Sequence, residues 1–231
     1  MTYRLFAFLT LLLWNTPSQA TVWPDRNTIK QARQVHRQTQ YTVLCHLPIG
    51  DQNRIHLSNN ELLPQAATRV RWGYIASGER LGLLFGCWHS SCLLNGKLHT
   101  GHRCCQQQNT RYAGFATDLH NVMPLLPKAA GLLQQYRIAL VPIADEVWPT
   151  CGLKLSHSSH LLEPPDTAKG VIARAYLYLH EHYGYPLSID EITLFLAWHT
   201  EYPATDWERA WDNAVYKLQG THNPFISEGT Q

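Results

Sequence analysis

Past its first twenty residues the chain has no hydrophobic run approaching the ~20 apolar residues that a membrane-spanning helix needs, so no membrane association is expected once those residues are removed. It also lacks any strong excess of charge. A formal net charge of +2 gives no broad basic field that would by itself announce nucleic acid as a partner. No Pro/Ser-rich break, block of like charge or internal repeat divides the chain. Residues 21–231 are therefore expected to form one domain with a sizeable core.

The opening residues have the form of an export signal. Arg4 precedes an apolar run from Leu5 to Trp14, and a polar stretch ends at Ser18-Gln19-Ala20, with cleavage expected before Thr21. This assigns 1–20 to a signal peptide and places the product in the periplasm or outside the cell. In such an oxidising compartment six cysteines, Cys45, Cys87, Cys92, Cys104, Cys105 and Cys151, read as a disulfide framework. Six allow fifteen pairings, and each bridge typically contributes about 2–4 kcal/mol. A rival reading remains open, because Cys87 and Cys92 with His99, His102, Cys104 and Cys105 are also a zinc-compatible mixture of ligands.

Local patterns suggest an α+β protein with a helical C-terminal third. A modest amphipathic helix is expected from Asp25 to about Gln38, with Ile29, Ala32, Val35 and His36 near helical spacing. Strands are expected at Tyr41–Cys45, Arg54–Leu57 and Arg69–Ile75. The segment Gly78–Arg111, with four cysteines among Gly, Ser, Asn and His, reads as a cross-linked irregular region. Ile172, Tyr176, Leu179 and Tyr183 predict a helix closed by Gly184. Two capping boxes, Ser188 with Glu191 and Thr205 with Glu208, open further helices, the first stapled by Leu187 and Ile192 and the second closed by Gly220. Trp207 and Trp211, four apart, read as core packing.

Three blocks carry a family resemblance: Asp118-Leu-His-Asn121 with Pro124, Glu163-Pro-Pro-Asp-Thr-Ala-Lys-Gly-Val-Ile-Ala-Arg-Ala175, and Asp206-Trp-Glu-Arg-Ala-Trp-Asp-Asn-Ala-Val-Tyr-Lys-Leu-Gln-Gly-Thr-His-Asn-Pro-Phe225. In order and approximate spacing they resemble bacterial endonuclease I. The resemblance implies a ββα-metal fold with disulfide-linked loops, in which a histidine activates water, a glutamate and an asparagine hold magnesium, and DNA lies in a basic cleft. Such chemistry needs a base that titrates near neutrality and oxygen ligands for a hard cation.

At those positions this chain differs. The block that the family writes Arg-Val-x-Trp-Glu-His-Val-Val-Pro-Ala is here Arg69-Val-Arg-Trp-Gly-Tyr-Ile-Ala-Ser-Gly78, so Gly73 stands at the glutamate position and Tyr74 at the histidine position. Lys128-Ala-Ala-Gly-Leu-Leu133 places Ala130 at the asparagine position. Glycine and alanine have no side-chain oxygen, and a phenol with a reference pKa of ~10 is a poor base at neutral pH. No metal is expected at Gly73 and Ala130.

The leading expectation is thus a catalytically impaired endonuclease I-like protein that retains nucleic-acid binding. One alternative is an active Mg²⁺-dependent endonuclease on DNA or RNA, its site rebuilt from histidines such as His89, His99 and His102. Another is a disulfide-stapled binding protein without nucleic-acid affinity. Tyr74 and His120 are the catalytic candidates; Arg69, Arg71, Lys169 and Arg174 are the candidates for nucleic-acid contact, since guanidinium and ammonium groups suit phosphate. Asp118 and Asn121 serve equally well as helix caps, and His222–Phe225 reads as a pin for the C-terminal tail.

Overall fold

A computed structural model describes residues 22–37, 39–55 and 69–227. The expected signal peptide, 1–20, lies outside the described residues, as do His56 and Leu57 of the expected second strand. In chain order the helices are α1 (Arg26–Val35), α2 (Gly78–Leu84), α3 (His102–Gln108), α4 (Thr110–Thr117), α5 (Pro127–Gln135), α6 (Asp166–Tyr183), α7 (Ile189–Glu201), α8 (Asp206–Gln219) and α9 (Pro224–Ser227). The strands are β1 (Arg71–Tyr74), β2 (Cys92–Leu94), β3 (Lys97–His99), β4 (Val122–Leu125), β5 (Arg137–Ile138), β6 (Glu146–Val147), β7 (Lys154–Ser156) and β8 (Leu161–Glu163). The result is an α+β fold. Among the described residues no helix is long and apolar enough to cross a membrane.

The C-terminal helices form where local signals direct them. Ser188 Oγ accepts from the Glu191 N–H while the Glu191 carboxylate accepts from the Ser188 N–H; Thr205 and Glu208 repeat the arrangement at α8. Each N-cap contributes about 1 kcal/mol by satisfying otherwise orphaned donors. Gly184 and Gly220 close α6 and α8 in the left-handed region, at φ 69° and 76°, which a side chain would disfavour. Helix α6 is buried over most of its length, from Ala168 to Leu179, as expected for a helix surrounded by other elements. Gly170 lets it approach the Tyr202 carbonyl at the end of α7 more closely than any Cβ would permit.

Strands β1 and β4 pair antiparallel, with Gly73 opposite Met123 and Tyr74 opposite Val122. Helix α5 packs on them, and Gln134 Nε2 donates to the Tyr74 carbonyl at 3.3 Å. Helix α6 docks where β1 ends, its Tyr176 hydroxyl donating to the Ile75 carbonyl at 3.2 Å. A hairpin β2–β3 and a four-stranded sheet in the order β5-β8-β7-β6 complete the strand pairing; β5 runs parallel to β8 and the other neighbours are antiparallel.

Two expectations require correction. Tyr41–Cys45 is a turn, because the Thr42 hydroxyl accepts from the Leu47 N–H and the Thr42 N–H reaches the Leu47 carbonyl. Gly78–Arg111 is not irregular: it contains α2, the β2–β3 hairpin, α3 and the start of α4. Bonds Cys87–Cys105 and Cys92–Cys104 tie these short elements together, and Cys45–Cys151 closes a much longer loop. With all six cysteines in disulfides, none is free to act as a zinc thiolate.

Candidate functional site

Alternation along β1 sends neighbouring side chains to opposite sides. Arg69, Arg71 and Gly73 belong to one side, and Trp72 and Tyr74 to the other. On the first side Gly73 meets α5: a Cβ built on Gly73 would lie 3.1 Å from the Ala130 Cβ and 3.2 Å from Leu125 Cδ1. The two positions that the resemblance assigns to metal ligands are therefore adjacent in space, and what they present to each other is carbon. The Trp23 ring covers the same side, 3.6 Å from that Cβ position, and the Arg71 guanidinium stacks over it at 4.1 Å. Mg²⁺ requires oxygen ligands in a near-octahedral shell. A glycine, a methyl, a leucine methyl and an indole do not fit such an ion, and no chemistry is routed through one here.

Tyr74 turns the other way, into the core. Its hydroxyl donates to the Ala116 carbonyl at 2.7 Å, and only 1% of the residue is exposed. Burial, reinforced by Tyr112 and Asp25, raises its pKa well above that of a free phenol, so it holds its proton at neutral pH. The His102 ring lies tilted against it, centroids 5.9 Å apart, and bonds the Tyr112 hydroxyl; burial lowers its pKa to about 4. His89 is exposed and His99 half-buried. Among the described residues no three His, Cys, Asp or Glu side chains converge as a metal-holding group.

His120 occupies a third environment. Its ring is fully buried in the single helical turn Leu119–Asn121, with Nδ1 3.2 Å from Asp118 and Nε2 2.9 Å from Asp212. Tyr178 and Tyr183 each donate to the other Asp118 oxygen at 2.7 Å. Asp212 also accepts from the Asn223 N–H at 2.7 Å and faces His222 Nδ1 at 2.6 Å. Burial opposes charge on all three, but their mutual bonds outweigh it: the His120 pKa is raised and both aspartate pKa values are lowered. This knot ties β4, α6, α8 and the tail together. Asp118 acts as the cap of its own turn, and Asn121 Oδ1 accepts from the Ala76 N–H at 2.8 Å.

The four proposed phosphate-contacting cations divide. Arg69 and Arg71 are exposed. Arg174 is 1% exposed: its Nε and Nη2 grip both Glu208 oxygens at 2.8 and 2.7 Å, and Nη1 reaches the Tyr202 carbonyl. Lys169 is buried against Asp166 at 2.7 Å and Glu163 at 3.2 Å. Fold-internal ion pairs thus hold the second two away from solvent. Trp23 and Asp212 were not singled out from sequence. Asp212 lies four residues after Glu208 on the same helix, but nothing local points it at a histidine 92 residues away.

The sequence profile of the endonuclease I family matches residues 100–230, more than half of the chain. Endonuclease-1 of Buchnera aphidicola subsp. Baizongia pistaciae is 31% identical over 162 residues, which cover 69% of this chain and 62% of that protein. A periplasmic deoxyribonuclease of Aeromonas hydrophila is 29% identical over 166 residues, covering 71% and 66%. An extracellular deoxyribonuclease of Aeromonas hydrophila is 27% identical over 168 residues, covering 72% and 69%. The chain thus spans less than two thirds of the length of the first two of these relatives.

Proposed function

The chain belongs to the endonuclease I family, and on that premise we propose that it is an exported, single-domain nuclease-like protein that binds nucleic acid but has lost metal-dependent phosphodiester hydrolysis. The observation that carries this reading is the carbon-to-carbon meeting of Gly73 and Ala130 beneath Trp23. A scissile phosphate placed there would find no side-chain oxygen of Gly73 or Ala130 to hold a divalent ion and no base in Tyr74, which is buried with its proton committed to the Ala116 carbonyl. His120 holds the fold together in this reading, enclosed by carboxylates rather than open to water. Arg69 and Arg71 remain available for phosphate on the exposed end of the same strand side. Placement in the periplasm or outside the cell follows from the export signal expected at 1–20 and agrees with the names of the relatives.

The test is incubation of purified mature protein with supercoiled plasmid in Mg²⁺ or Mn²⁺. The plasmid is expected to remain supercoiled with protein in excess. Relaxation or linearisation at ordinary nuclease rates, abolished by a point substitution that leaves folding intact, would overturn the proposal in favour of a Mg²⁺-dependent enzyme with a rebuilt site.

A further inference from the structure

Helix α1 carries a feature that the small net charge conceals. Its inward side is buried, with the apolar Ala32 and Val35 beside Thr28, whose hydroxyl is bonded to Asp25. Its outward side presents Arg26, Lys30 and Arg33, and Arg37 continues the series two residues past the helix end, all four exposed. Their spacing is i, i+4, i+7, i+11, which places them on one face. No acidic residue occurs between 26 and 37. None of the four enters an ion pair among the described residues. A chain whose formal charge is +2 therefore concentrates four cations on one short stretch.

This arrangement works against the helix that bears it. Arg26–Lys30, Lys30–Arg33 and Arg33–Arg37 are like-charged neighbours, which destabilise a helix. Arg26 also sits at the positive end of the helix dipole, with no acid in the first turn to offset it. Asp25 is occupied in capping, accepting from the Thr28 N–H and hydroxyl. A stripe that opposes its own helix and has no ion-pair partner among the described residues calls for an external anion.

We propose that the outer face of α1 is a binding surface for the phosphate backbone of duplex nucleic acid. The four cations run along about 16 Å of helix at ~1.5 Å per residue, the length of roughly five base-pair steps. Together with Ile29 and Gln34 they line a shallow trough of ≈ 500 Å³. A lipid surface fits less well. A helix lying on a membrane needs an apolar face free to enter the acyl boundary, whereas the apolar side of α1 is packed on β4 and α8. Trp23, three residues before the helix, holds Arg71 and so ties the start of the stripe to β1. The stripe lies outside residues 100–230, the part matched by the family profile. The inference rests on the nucleic-acid-binding part of the function proposed above and identifies the surface responsible.

The experiment is anisotropy titration of labelled duplex DNA and duplex RNA with mature protein, in EDTA and across a series of salt concentrations. The variant R26Q/K30Q/R33Q/R37Q is compared with wild type and with a charge-matched control on other elements, K97Q/R103Q/R137Q/K217Q. The expected result is a loss of affinity of about tenfold or more at low salt, and a log–log salt slope shallower by about 3 to 4, for the α1 variant alone. The DNA and RNA arms show whether one duplex is preferred. K30Q/R33Q, which keeps two cations, is expected to show about half the slope change; circular dichroism verifies the fold of each variant. Unchanged binding by the α1 variant, or equal loss in the control, would overturn the inference and leave the function proposal standing. Absence of wild-type binding would overturn both. Equal retention on anionic phospholipid vesicles, lost in the same variant, would reassign the face to membranes.

Discussion

The β1–β4–α5 unit and the knot around His120 are joined through β4, yet they are built on opposite principles. In the first, the atoms nearest a Cβ on Gly73 are the carbons of Ala130, Leu125 and Trp23. In the second, a histidine, two aspartates and two tyrosines are buried with their charges matched. Shortening a side chain to glycine or alanine where neighbours can close in leaves nothing unsatisfied. Removing one member of a buried ionic set leaves an uncompensated charge, which typically costs several kcal/mol. The contrast teaches that in this chain the meeting of Gly73 and Ala130 leaves no charge stranded, whereas the ionic knot beside it cannot lose a member without stranding one.

The largest test of that contrast is Asp212→Ala. Losing this carboxylate strands His120 and removes the acceptor of the Asn223 N–H, so unfolding free energy is expected to fall by about 3–5 kcal/mol. Calorimetry should register a Tm drop on the order of 10 °C for a chain of this size; a drop of a degree or two would break the comparison. The pH profile sharpens it. The raised His120 pKa gives a contribution present below its unfolded value of ~6.5 and lost as pH rises through the folded pKa. The lowered aspartate pKa values give one present above ~3.9 and lost as pH falls through theirs. Burial lowers the pKa of His36 to about 3 and of His102 to about 4, contributions present above ~6.5 and lost as pH falls toward those values. Urea midpoints should therefore peak near neutrality, and His120→Phe should remove most of the decline between neutrality and about pH 9.

Gly73→Glu is the smaller test, on the other region. The new side chain must displace Ala130, Leu125 or Trp23, and overpacking of this kind typically costs about 1–3 kcal/mol. Denaturant titration should show that loss with or without Mg²⁺. A variant as stable as wild type would mean that the crevice opens readily, and the contrast between the regions would weaken.

What could be read from the sequence followed the range of the interaction. Helices α6, α7 and α8 were legible to within a residue or two because caps and left-handed glycines act over three or four positions. The same capping glutamates, Glu191 and Glu208, also bind Arg80 and Arg174, across 111 and 34 residues, and nothing local reports that. Arg174 therefore looked like a phosphate contact and proved to be internal. The segment after Gly78 looked irregular because its elements are only three to eight residues long, and its cross-links depend on a pairing that spacing does not choose. Helix α1 is legible from its apolar positions; that its four cations share the outward face depends on which side packs against β4 and α8. At the candidate site the sequence indicated which side chains are missing; that Gly73 and Ala130 touch, under Trp23, required the fold.

The bond between Cys45 and Cys151 encloses β1, β4 and α5, while α6 to α9 lie beyond it. A protease that cuts the chain once at any point between those two cysteines leaves both pieces linked. In an environment where peptidases are abundant, such a nicked molecule would migrate as one species until reductant is added. For a protein exported as proposed above, a single backbone break inside this loop is an injury from which the rest of the molecule need not come apart.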